Sequence, residues 1–261
     1  MKHVFVCFIF FFAVMLLGCK VEEVRPPNVS EPPRMLVSKF YDQQREFVFE
    51  FTYDGSNRLV RWQGFGIFER RPDLLNSGTY EYENNAIKRT HYTNTFYSTR
   101  NTRQMEFHIN ADGKVDSFND WGSLSNHGCK LALDETGRVL SYKYFTYGFN
   151  QWWHLAYANS RNALALSSDN AIFSFTFDQK RRPDWGLPPI YDLHSPFVKY
   201  FSGNEENCYA LVASSNNVIQ NLRGSGSWQY VYNAMQYPDT IRYFRSGILN
   251  SVWIFEYVPA N

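Results

Sequence analysis

Lys130-Leu131-Ala132-Leu133-Asp134-Glu135-Thr136-Gly137-Arg138-Val139-Leu140-Ser141-Tyr142 reads as one β-hairpin. Large apolar side chains fall at every second position before Asp134, at Leu131 and Leu133, and again after Arg138, at Leu140 and Tyr142. A period of two puts one set of side chains on each face of a strand. Asp at the start of the turn can bond its own backbone, and Gly137 supplies the positive φ that a tight reversal requires. The basic residue after the Gly opens the return strand, where its long stem can lie over neighbouring aromatics while its charge stays in water.

The same plan recurs along the chain. It is read at Phe49 to Trp62, around Asp54 and Arg58; at Tyr80 to Arg89; and at Met105 to Phe118, around Asp112-Gly113-Lys114. Weaker copies run from His154 to Leu166, Phe173 to Trp185, Tyr209 to Leu222 and Gln229 to Tyr243, and a last strand covers Trp253 to Tyr257. Asp54, Asp112, Asp134 and Asp178 are expected at hairpin tips. A single hairpin cannot bury its own apolar face, so successive units must pair. The unit is about 24 to 28 residues long, and eight units predict 15 to 17 strands. A sheet of that size curls, splits or closes. The expected fold is therefore all-β: repeated antiparallel hairpins in one large curled sheet, a rolled sheet or partly closed barrel, with a β-sandwich as the alternative.

The Tyr-Asp…Gly-Arg-Leu pattern, carried best by Asp54, Gly113, Lys114, Gly137 and Arg138, resembles the YD or RHS-like repeats of secreted bacterial proteins. It is more closely similar to repeat-bearing lipoproteins of the Bacteroidetes type, over residues 45 to 257. That resemblance implies architecture and location, and no chemistry.

The N-terminus points the same way. Lys2 precedes an apolar run from Val4 to Leu17, too short for a spanning helix, which needs about 20 residues. It ends in Leu16-Leu17-Gly18-Cys19. A basic start, a short apolar stretch and a small residue before the cut make a secretory signal peptide. A Cys directly after the cut resembles a bacterial lipoprotein, in which the Cys19 thiol is acylated. Two or more acyl chains anchor a protein stably, so the expected membrane attachment is through Cys19. Residues 1–18 are read as the signal peptide, 19–35 as the lipidated Cys and a Pro-rich tether, and 36–261 as a single repeat-built domain. Lys20 with Glu22 and Glu23 resembles a surface-export signal of Bacteroidetes-type lipoproteins. The expected location is the outer membrane, at the cell surface rather than on its periplasmic face.

Composition narrows the function classes. The chain has 26 basic and 25 acidic residues, and loss of Lys2 with the signal balances them. Nucleic-acid binding needs a basic footprint that this chain lacks. The 18 Tyr, 7 Trp and 23 Phe favour strands. Cys129 and Cys208 outside the cytoplasm could form a disulfide, or could stay as two buried thiols. No catalytic motif is present, and the histidines lack ligand spacing, so no cofactor and no metal are expected. A glycosidase would need two carboxylates across a cleft.

The candidate ligand-binding residues are tryptophans. Adjacent strand residues point to opposite faces, so Trp152 and Trp153 cannot both lie in the core of a one-sided sheet. An exposed Trp near Asn150 and Gln151 suits a sugar platform: the ring stacks on apolar CH faces and the amides bond hydroxyls. Trp185, beside Asp184, is the third candidate. The loop from Arg182 to Ile190 interrupts the repeats and is expected to act as a plug or lid over one end of the sheet. The resulting expectation is a non-catalytic envelope lipoprotein that binds a glycan or a partner protein. The alternatives are a periplasm-facing structural or lipid-sheltering role, and a glycoside hydrolase.

Overall fold

A computed structural model describes residues 33–68, 71–95, 98–121, 127–136, 138–146, 149–157, 162–168, 171–184, 186, 214–222 and 224–261. The signal segment, Cys19, most of the tether, Gly137, Trp185 and Cys208 lie outside the described residues. Pro33 onward forms one compact unit.

The described chain contains sixteen strands. A first strand β1 (Met35–Asp42) is followed by β2 (Phe47–Tyr53), β3 (Leu59–Phe68), β4 (Arg71–Tyr82) and β5 (Ala86–Thr95). Then come β6 (Ser98–Ile109), β7 (Val115–Trp121), β8 (His127–Leu133), β9 (Val139–Thr146), β10 (Phe149–Tyr157) and β11 (Ala163–Ser168). The last are β12 (Ala171–Arg181), β13 (Asn216–Asn221), β14 (Gly226–Tyr232), β15 (Pro238–Arg245) and β16 (Ile248–Pro259). Each pairs antiparallel with its sequence neighbours, and β1 pairs with β16, from Met35 opposite Pro259 to Asp42 opposite Trp253. The repeated hairpins thus form the expected curled sheet, and the first and last strands close it into a barrel. Closure leaves no unpaired edge.

The turn that defines the repeat has one recurring geometry. Asp54 N donates to Arg58 O at 2.9 Å, and Asp54 Oδ1 accepts from the backbone N–H of Ser56 and Arg58, each at 2.9 Å. Asp134 accepts the same pair of bonds from Thr136 and Arg138. Asn110 does so from Asp112 and Lys114, and Asn233 from Met235 and Tyr237. The fourth residue is left-handed: Asn57 at φ 63°, Gly113 at 74° and Gln236 at 67°. In each of these four hairpins a register shift follows at the base of the turn. One conformation therefore accepts either Asp or Asn at its first position, which is why the copies look weaker in sequence than they are in space. Asp112 sits inside such a turn while Asn110 holds it.

One expected hairpin is a single strand. Phe173 to Trp185 does not turn back on itself: β12 runs unbroken through Asp178 and pairs with β13, while of Tyr209 to Leu222 only 214–222 are described. Asp178 is correspondingly within β12 and not at a tip. Its carboxylate accepts from Asn217 N at 3.1 Å and from the Tyr232 hydroxyl, and Asn162 Oδ1 accepts from Ser215 N and Asn216 N. These side chains tie the start of β13 into the wall where no tight turn can set the register.

Of the loop expected to act as a plug or lid, 182–184 and 186 are described, and they are tied to the wall. Val37 N donates to Asp184 O at 2.8 Å, Leu59 N to Gly186 O at 3.2 Å, and Arg34 pairs with Asp184 at 2.6 Å. The chain leaving β12 thus reaches β1 and the start of β3 at the barrel end that carries the Asx turns. Gly186 has φ +62°, and a Cβ there would lie 2.6 Å from Asn57 O, so only glycine fits.

Apolar side chains point inward all round the ring. Phe40, Phe49, Trp62, Phe107, Phe118, Tyr142, Phe175, Trp228, Trp253 and Phe255 belong to one buried cluster. Phe40 stacks on Phe49 at 4.6 Å and meets Trp253 edge-on at 5.4 Å. A round sixteen-stranded barrel would leave an aqueous channel along its axis. Here the inward aromatics among the described residues are excluded from water, so that part of the interior is filled by their own side chains.

Candidate functional site

Among the described residues the outer face carries exposed apolar side chains such as Leu140, Ile172, Val231 and Val258, and between them charges arranged in rows across the strands. Glu256, Lys39 and Glu50 are register partners on β16, β1 and β2, with Lys39 Nζ 3.0 Å from Glu50. Glu81, Lys88 and Glu106 form a second alternating row on β4, β5 and β6. Opposite charges directly across a pair stabilise it.

A third row departs from this pattern. Ser117, Lys130, Lys143 and Trp152 are successive register partners on β7, β8, β9 and β10. Trp152 is 41% exposed on the outer face. The His154 ring stacks beside it at 6.2 Å and 16°, and Lys143 Nζ lies 5.5 Å from its centroid. Alternation along β10 puts these rings outside and their neighbours inside.

Trp153 is on the other side of the wall. It packs against the buried cluster, stacked on Tyr142 at 6.3 Å and tilted against Phe173 at 6.2 Å. The two candidates are therefore divided by the pleat: Trp152 is presented to solvent, and Trp153 belongs to the core. Period-two alternation alone requires that division, but the burial of one face had to be seen to say which Trp is which. Trp185 lies outside the described residues.

Lys130, Lys143 and His154 were not singled out by sequence. They become neighbours of Trp152 only through the β8–β9–β10 register. The available signal was the hairpin centred on Asp134, which places Lys130 opposite Lys143 once the turn length is known.

Other chemistry-bearing groups are occupied. Asp54 pairs with Arg58, Asp134 with Arg138, Glu83 with Lys88 and Asp116 with His108. Bonds from Thr136 and Arg138 hold the Asp134 carboxyl well below the usual carboxylate range. Among the described residues no cluster of His, Cys, Asp and Glu could hold a metal ion. Cys129 is a free thiol buried in the core, and burial pushes it up to about 12.

Fold and surface together define a class: a closed, antiparallel, sixteen-stranded barrel whose described residues bury aromatic rings inside and carry rows of charge outside. No protein-family model matches the chain, and no curated protein matches it. Among solved structures it is similar to a porin-like protein from Bacteroides uniformis ATCC 8492, with TM-score 0.54 and 11% identity over 87% of this chain and 97% of that one. A porin-like protein from Bacteroides vulgatus ATCC 8482 matches with TM-score 0.35 and 11% identity, over 86% of this chain and 99% of that one. At such identity the first likeness is one of fold.

Proposed function

We propose that this chain is a non-catalytic cell-envelope lipoprotein whose filled barrel stands in water and binds glycan on its outer face at Trp152. The observation that carries the reading is the direction of the side chains. A membrane-spanning porin turns an apolar band about 25 Å tall outward and a polar lining inward. Among the described residues this barrel buries its aromatic rings inward and carries charged rows outward, beside scattered exposed apolar residues. An outward Lys or Arg at the bilayer midplane costs about 2–4 kcal/mol, and the charged rows above repeat that cost several times. A porin-like trace is thus compatible with a domain that does not conduct.

The lipid-sheltering alternative is weakened by the same filling, because the inner face is occupied by its own rings. Acylation of Cys19 would hold the domain at the outer membrane, on the cell surface rather than the periplasmic face, and the signal pattern of residues 1–18 supports this. Trp152 supplies an exposed indole beside the His154 ring, the arrangement a saccharide stacks on. A protein partner at the same surface is the competing occupant.

The test is a pair of substitutions measured against a panel of soluble polysaccharides. Trp152→Ala abolishes saccharide binding and leaves the unfolding midpoint unchanged. Trp153→Ala lowers stability by about 3 kcal/mol, as expected for a core aromatic. Saccharide binding that survives Trp152→Ala in a folded protein contradicts the reading.

A further inference from the structure

We infer that the saccharide bound at Trp152 is acidic, a uronate-bearing glycan whose carboxylate lies between Lys130 and Lys143. This rests on the glycan reading of Trp152 and names its ligand class. The observation is a broken pairing rule. Lys130 and Lys143 are direct register partners on β8 and β9, both on the outer face. Like charges directly opposite one another destabilise a strand pair. Two other strand lysines each lie between glutamates: Lys39 between Glu256 and Glu50, and Lys88 between Glu81 and Glu106. Neither Lys130 nor Lys143 is in an ion pair with any described residue. Sequences break such local rules where function requires it.

The repulsion sits beside the exposed indole. Lys143 is the register partner of both Lys130 and Trp152. Two strand spacings separate Lys130 from Trp152, about 10 Å. A sugar ring on Trp152 therefore brings a carboxylate within reach of both ammonium groups, and the anion relieves the repulsion that the empty face carries. An anionic membrane surface is the less fitting partner. Lipid recognition uses clusters of about four to eight basic residues, and the row continues through Ser117 on β7, with Glu106 opposite Asn119 alongside.

The experiment uses the full-length protein with polygalacturonate and hyaluronan as uronate probes, dextran and galactan as neutral probes, and phosphatidylglycerol vesicles as the anionic surface. The uronate polymers bind at least about tenfold tighter than the neutral ones at low salt, and the difference disappears in about 0.5 M salt, where screening is short-ranged. Lys130→Gln and Lys143→Gln each remove most of the preference, while Trp152→Ala removes binding to every saccharide. Lys130→Glu abolishes uronate binding and raises the melting temperature, because it turns a like pair into an opposite one; a lowered melting temperature contradicts the repulsion. Equal affinity for neutral and acidic polymers, unchanged in the lysine variants, overturns the acidic inference and leaves the glycan reading standing. Binding to vesicles with no saccharide binding overturns both.

Discussion

Single residues in this barrel are fitted to their neighbours across the wall. The Trp62 side chain is fully buried, and it lies over Gly78 on the adjacent strand. A Cβ at position 78 would come 2.2 Å from Trp62 Nε1 and 2.7 Å from Cε2. The indole cannot move aside without entering the packed interior, so Gly78→Ala is an overpacking substitution and costs about 1–3 kcal/mol. Chemical denaturation measures it; an unchanged midpoint would mean that the indole has room to shift. Sequence shows Trp62 as a strand aromatic and Gly78 as a weak strand residue. It does not show that the small residue is the counterpart of the large one, because that pairing depends on the β3–β4 register. The division of Trp152 from Trp153 was visible only as a rule, that one must face out. The identity of the exposed one needed the core.

Hairpins are joined to one another by their tyrosines. The Tyr82 hydroxyl donates to Leu59 O at 2.8 Å, Tyr157 to Val139 O at 2.9 Å, and Tyr257 to Pro238 O at 2.7 Å. Tyr82 and Tyr157 end their strands and Tyr257 lies two residues before the end of β16; in each case the acceptor directly follows the turn of the preceding hairpin. Arg58 covers the Tyr82 ring at 4.3 Å, and Arg138 covers Tyr157 at 5.0 Å. The Tyr, Asp and Arg of the repeat are thus one device: Asp shapes the turn, Arg clamps to Asp, and the next Tyr is held beneath Arg. Burial pushes Tyr157 up to about 12 and raises Tyr82 and Tyr257 as well. A tyrosine with a raised folded value binds its proton more tightly in the native state. Its contribution is complete below pH about 10, the unfolded value, and is lost as pH rises through the folded value. Stability therefore falls steeply above pH about 10, and phenolate absorbance at these tyrosines appears together with loss of structure. Phenolate formation at pH about 10 in an intact barrel would contradict the linkage. This element was the most legible part of the chain, since its aromatic alternation and turn chemistry are local. The β12–β13 pair was not legible because the segment 182–215, and no short turn motif, lies between its strands in sequence, and its start is tied by Asp178 and Asn162. β1 carries no turn signature of its own and was not assigned to a repeat; it is defined by closing the ring against β16.

The whole molecule follows from which face of the wall is apolar. Repeats of this kind could close around water or around themselves, and strand count alone does not decide between the two. The inward row of Phe40, Phe49, Trp62, Phe107, Trp228 and Phe255 decides it, together with outward charge on β1, β2, β4, β5, β6 and β16. The sequence alternation contained both faces, but the mixture of aromatic and polar residues did not say which of them met its own kind. The proposed reading predicts that this barrel folds without detergent or bilayer. The most direct measurement is sedimentation velocity on the chain from Pro33 onward in buffer without detergent, before and after addition of liposomes. The account predicts a folded, soluble species that stays out of the lipid fraction. A chain that is insoluble without detergent, or that inserts into the liposomes, would contradict the central claim that the apolar face of this barrel is its interior.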